Sequence, residues 1–112
     1  MFIHSVYFWL HPKLSPEDRA TFRAGVHSLT TIDTVERSHV GTPADTDRPV
    51  IDSSYSYALI AFFRDKSAHD AYQTHATHDV FRSECSSFWS RVQIYDVDSP
   101  QPAQPAQPAA ST

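Results

Sequence analysis

The chain has 112 residues, but residues 99–112 hold four of the eight prolines and no charged or aromatic side chain. The other 98 residues carry every charge, every aromatic and all seven histidines, which is enough for one core and too little for two. A net charge of −4 without a basic stripe argues against nucleic acid and anionic membrane as partners, and two glycines leave no Gly-rich phosphate loop.

No apolar run approaches the roughly 20 residues of a membrane-spanning helix. The start, Met1-Phe2-Ile3-His4-Ser5-Val6, lacks the charged region and small-residue cleavage site of a signal peptide. The one cysteine, Cys85, has no intrachain partner. These features predict a reducing, cytoplasmic setting.

Residues 2–11 predict a strand, rich in aromatic and β-branched side chains. Phe2, His4, Val6, Phe8 and Leu10 share one face, and Ile3, Ser5, Tyr7, Trp9 and His11 the other. Both faces are largely apolar, so both need a cover. Pro12 ends the strand. Ser15-Pro16-Glu17-Asp18 then starts a helix, with Ser15 as N-cap, Pro16 in the first turn and two acids at the positive end of the dipole. Phe22, Val26 and Leu29 form its apolar stripe, with Gly25 on the same side permitting close approach of helix to sheet. Residues 35–41 predict a weaker strand, and residues 42–54, with two prolines and three aspartates, a loop.

Residues 55–63 predict the strongest strand, again apolar on both faces. Asp65 or Ser67 caps a second helix, whose pattern stutters at Thr74-His75-Ala76-Thr77 and resumes through Phe81, Cys85, Phe88 and Trp89. Cys85 lies on that apolar stripe and reads as a core thiol. Residues 91–98 return to strand alternation.

The order β-α-β-β-α-β predicts an α+β fold over residues 1–98. It is a ferredoxin-like sandwich, with a four-stranded antiparallel sheet and helices on one face. The helices leave the other sheet face bare, which predicts a homodimer closed through that face into an α+β barrel. The Gln-Pro-Ala repeat of residues 99–112 reads as a disordered, extended tail.

Several pieces, in order, resemble the stress-responsive A/B-barrel domain family. They are His4-x-Val6-x-Phe8, the Phe22, Val26, Leu29 helix and Gly41. Further on come Tyr57-Ala58-Leu59 into Phe62, the run Tyr72-x2-His75-x2-His78-x2-Phe81, Trp89, and Val92-x-Ile94-x-Asp96. The resemblance spans about residues 2–98. It implies a ferredoxin-like homodimer whose sheets form a barrel. It also implies kinship with a plant polyketide-cyclase branch that works without metal or organic cofactor, through a histidine and a tyrosine. Matched by position, those fall on His78 and Tyr72, with a further pocket histidine at His4. His75, Phe22, Arg23, Val26, Phe62, Phe81 and Trp89 are expected to line the pocket. The chain departs from the family at His75-Ala76-Thr77-His78, where His-Pro-x-His is common, and from the cyclase branch at Arg23 and Val26, where aromatics are found.

Tyr72 and His78 are six residues apart, so on an unbroken helix they point about 120° away from each other. They converge only if the helix breaks at the Thr74 to Thr77 stutter, with Thr74 or His75 capping the next helix. His78 then takes a proton α to a carbonyl, Tyr72 donates to the developing enolate oxygen, and His4 orients the substrate. Arg23, if it faces the pocket, pairs with a substrate carboxylate.

The expected function is a lyase, cyclase or isomerase acting on a small hydrophobic carbonyl compound without a cofactor. The alternative is a non-catalytic stress-responsive module that binds an apolar ligand. His75-x2-His78 with Asp79, or with His4 from the strand, offers nitrogen and oxygen ligands, but that spacing arises by chance on any helix and no metal is expected. His11, His27, His39 and His69 carry no role at this level.

Overall fold

The computed structural model describes residues 1–100. The expected tail falls, from residue 101 onward, outside the described residues. Strand β1 (Phe2–Leu10) leads into helix α1 (Pro16–Leu29), then β2 (Arg37–Gly41) and β3 (Tyr57–Phe63). Two helices come next, α2 (Lys66–Gln73) and α3 (Ala76–Cys85), then a 3₁₀ turn (Ser86–Phe88) and β4 (Trp89–Asp98). The sheet order is β2-β3-β1-β4, antiparallel throughout. This is the ferredoxin-like α+β architecture, with the second helical region split in two.

Ladder register sorts the side chains. Val6 lies opposite Leu59 on β3 and Ile94 on β4. The even residues of β1 therefore share the helix-covered side with Tyr57, Leu59, Ala61 and Phe63. Phe22, Val26 and Leu29 from α1 pack onto this side and are buried. Phe8 and Phe22 meet edge to face at 5.1 Å, a favoured aromatic geometry. The start of α1 is held as expected: Ser15 Oγ accepts from the Asp18 backbone N–H at 3.0 Å, and Pro16 occupies the first turn.

Two local expectations need correction. Trp89 does not sit on a helix. The 3₁₀ turn closes α3, and Trp89 opens β4 opposite Leu10. Gly25 also serves a different approach from the one expected: it brings α1 against α3, not against the sheet. A Cβ there would lie 2.8 Å from Cys85 Sγ and 3.0 Å from Phe81 Cδ1. Both atoms belong to buried side chains, so the shift a methyl group requires disturbs the core. Gly25→Ala gains up to about 1 kcal/mol of helix propensity, but overpacking costs about 1–3 kcal/mol. A net loss is expected, read as a lower urea midpoint.

The helices stop short of β4. Val92 and Ile94 face the helix side yet remain 40% and 44% exposed, so the sandwich is open along that edge. The opposite sheet face carries Ile3, Tyr7, Trp9, Ala58, Ile60 and Phe62, all only half-buried. One end of it meets the β2–β3 loop, where Trp9 Nε1 donates to Ser54 Oγ and Tyr7 contacts Tyr55 edge to face. No helix among the described residues is long and apolar enough to cross a membrane.

Candidate active site

The break between α2 and α3 builds the site. Thr74 closes α2, and His75, in an extended conformation, caps α3 by accepting from the Thr77 backbone N–H at 3.0 Å. The chain turns there and the next helix begins afresh, which undoes the divergence of Tyr72 and His78. Their rings meet edge to face at 5.0 Å. His4 approaches Tyr72 from β1 at 5.9 Å.

All three line one cavity of about 290 Å³ between the sheet and the helices. Its wall is mostly apolar: Val6, Phe8, Leu29, Leu59, Phe81, Trp89, Val92 and Ile94. Gln73 and Arg82 complete it. The exposed β4 edge contributes Val92 and Ile94 to its mouth.

The polar groups are unevenly satisfied. His4 is buried, and its Nδ1 shares a 2.6 Å hydrogen bond with Asp96 Oδ1. Asp96 stands opposite His4 in the β1–β4 ladder, so strand pairing itself sets this bond. With Nδ1 so engaged, the Nε2 of His4 is left for a second partner. His78 is buried with its Nδ1 unpartnered. No described residue hydrogen-bonds the Tyr72 hydroxyl.

Burial holds His78 below the ordinary histidine range, and the positive charge of Arg82 adds to this. Burial also lowers His4, against the opposing pull of Asp96. Burial pushes the Tyr72 phenol well above its usual range. At neutral pH the site thus holds two neutral imidazoles and a protonated phenol, which is one set of proton acceptors beside one donor.

The same shifts set an acid limit on the fold. Above the ordinary histidine value of 6.5 both rings are neutral, folded or unfolded. Below it the unfolded chain binds protons first, so stability falls with falling pH until the folded rings titrate too. The urea midpoint is expected to be lower at pH 5.5 than at pH 7.5, with most of the loss recovered on returning to neutral.

The remaining expected pocket residues divide. Phe81 and Trp89 line the cavity. Phe22 and Val26 do not; both are fully buried in the core, Phe22 against Phe8 of β1 and Phe81 of α3. Arg23 points away on the exposed side of α1, so the pairing with a substrate carboxylate is removed. Phe62 lies on the bare sheet face, where the Arg37 guanidinium covers its ring at 4.3 Å. His75 is a helix cap.

Sequence reasoning gave no role to Asp96, Gln73 or Arg82. Asp96 has the same strand parity as Val92 and Ile94, and only the β4 register ties it to His4. Gln73 and Arg82 reach the cavity from helix positions beside Tyr72 and Phe81.

The family model of the stress responsive A/B barrel domain matches residues 2–99. This chain belongs to that family. Solved structures agree on the fold of this A/B-barrel chain. A Dabb family protein with a ferredoxin-like fold from Mesorhizobium loti is 22% identical, with a TM-score of 0.70, 89% of this chain covered and 97% of that one. A dimeric ferredoxin-like protein of unknown function from Thermobifida fusca is 15% identical, with a TM-score of 0.69 and coverage of 86% and 88%. Hydroxynitrile lyase from Passiflora edulis is 15% identical, with a TM-score of 0.70 and coverage of 90% and 96%. No curated protein sequence matches the chain.

Proposed function

We propose that this A/B-barrel protein is a homodimeric acid–base catalyst acting on a small apolar carbonyl compound, with no organic cofactor. His78 is the base, the Tyr72 hydroxyl donates to the oxygen that gains charge, and His4, held by Asp96, orients the substrate. The observation that carries this reading is the buried, unpartnered Nδ1 of His78 at the wall of an apolar cavity. A buried polar atom without a partner costs about 1–3 kcal/mol, and a bound ligand repairs that deficit.

The chemistry is proton transfer. His78 removes a proton α to the carbonyl, Tyr72 hydrogen-bonds the developing enolate, and the proton returns to carbon or to a leaving group. A hydroxynitrile is a carbonyl adduct, and its cleavage needs the same set: a base for the hydroxyl proton and an acid for departing cyanide. The lyase among the structural relatives makes that variant worth including. The dimer reading rests on the bare apolar sheet face, and on ferredoxin-like relatives described as dimeric.

The test is deuterium exchange at the α-carbon of 4-phenylbutan-2-one and related ketones in D₂O, monitored by NMR, with aromatic hydroxynitriles assayed in parallel. Exchange or cleavage well above the buffer rate is expected. A probe that binds but neither exchanges nor is cleaved overturns this reading, and leaves a binding module whose ligand affinity survives His78→Ala.

A further inference from the structure

His69 received no role from the sequence, yet α2 brings it to the far side of His4. The two rings lie 4.7 Å apart, centroid to centroid. Donor atoms of His4, His69 and Asp96 all lie within 4.8 Å of one another. These three residues come from β1, α2 and β4, so the grouping is a product of the tertiary fold and not of a local spacing. We propose that His4, His69 and Asp96 form a binding site for a divalent transition-metal ion of the zinc class.

The donor set argues for that class. Two imidazoles and one carboxylate suit zinc and its first-row neighbours, whereas calcium and magnesium favour all-oxygen cages. Zinc bound to nitrogen and oxygen sits about 2.0–2.2 Å from each ligand, which puts tetrahedral ligands about 3.4 Å apart. From the 4.8 Å limit the donors need to draw in by about 1.4 Å at most, while the 2.6 Å His4–Asp96 hydrogen bond opens to admit the ion.

The imidazoles are already oriented. The His69 ring stacks on Phe2 at 4.3 Å. If His69 gives its Nε2 to the ion, in place of the Gln73 amide nitrogen now 3.1 Å from it, its Nδ1–H can donate to Asp70 Oδ1 at 3.3 Å. A metal-bound histidine ring is commonly fixed by such a contact on its second nitrogen. Asp96 is 39% exposed while His4 is buried, so the carboxylate provides the way in. Three protein ligands leave at least one coordination position for water or a small anion.

This site shares His4 and Asp96 with the proton-transfer reading but does not rest on it, since its evidence is the donor geometry alone. The experiment uses the untagged full chain, stripped with a chelator and titrated with zinc chloride by calorimetry, with cobalt absorbance as a second readout. One ion per chain is expected. His69→Ala and Asp96→Asn should each weaken binding about tenfold or more, and His11→Ala, at an exposed position, should leave it unchanged. Circular dichroism checks the fold of each variant; if His69→Ala is unfolded, the half-exposed Asp96→Asn decides. No binding with zinc in excess, or binding that survives the folded variants, overturns the proposal.

Discussion

His78→Ala is expected to cut proton exchange on a carbonyl probe by about 10²–10⁴-fold, the usual worth of a positioned general base. The same substitution should lower the urea midpoint only modestly, since it loses the ring contact with Tyr72 but no hydrogen bond at Nδ1. His78 Nδ1 has no partner to lose, and its removal relieves a buried polar atom. A histidine retained for packing would give a different pair of results, with more stability lost and exchange kept. Tyr72→Phe should also slow exchange, since it removes only the hydroxyl and keeps the ring that packs against His78 and Phe63. The pH profile supplies a third check. The base acts in its neutral form, so the rate rises with pH below 6.5, where burial has placed both His78 and His4. No alkaline limb from Tyr72 is expected near neutrality, because its phenol is held protonated far above the ordinary range.

If the proposed dimer forms through the bare sheet face, Ile60→Lys is expected to convert it to a monomer. Sedimentation should fall from about 25 kDa to the 12.6 kDa of one chain. Ile60 lies near the centre of the bare sheet face, paired with Ser5 on one side and His39 on the other. Lysine is the right choice because Arg37 and His39 lie on that face too, and an aspartate there could find a cationic partner. An unpaired ammonium buried between two sheets loses its water with nothing to replace it. A wild-type chain that sediments as a monomer would falsify the assembly outright.

Much of the fold was legible because periodicity and caps act locally. The apolar-on-both-faces strands, the Ser15-Pro16 helix start and the stutter at Thr74 to Thr77 each correspond to a feature of the structure. The convergence of Tyr72 and His78 was legible for the same reason, since it depends on a helix break within six residues. What the sequence hid is long-range. Whether Arg23 or Arg82 faces the cavity depends on how α1 and α3 roll against the sheet. Phe62 was assigned to the wrong side because both faces of β3 are apolar and parity alone does not say which the helices cover. Asp96 and His69 needed the β1–β4 register and the tilt of α2, which bring together residues 92 and 65 positions away from His4.

β1 sits between β3 and β4 and writes two texts in alternate letters. Its even positions, His4, Val6 and Phe8, face the cavity, and its odd positions, Ile3, Tyr7 and Trp9, face the bare side. Under the proposed function, even positions would tune ligand preference and odd positions self-association. The two traits are separable by substitution but not by insertion. One residue added between His4 and Phe8, with the later part of the strand held in register, would flip the part before it, turning His4 outward and Ile3 toward the cavity side.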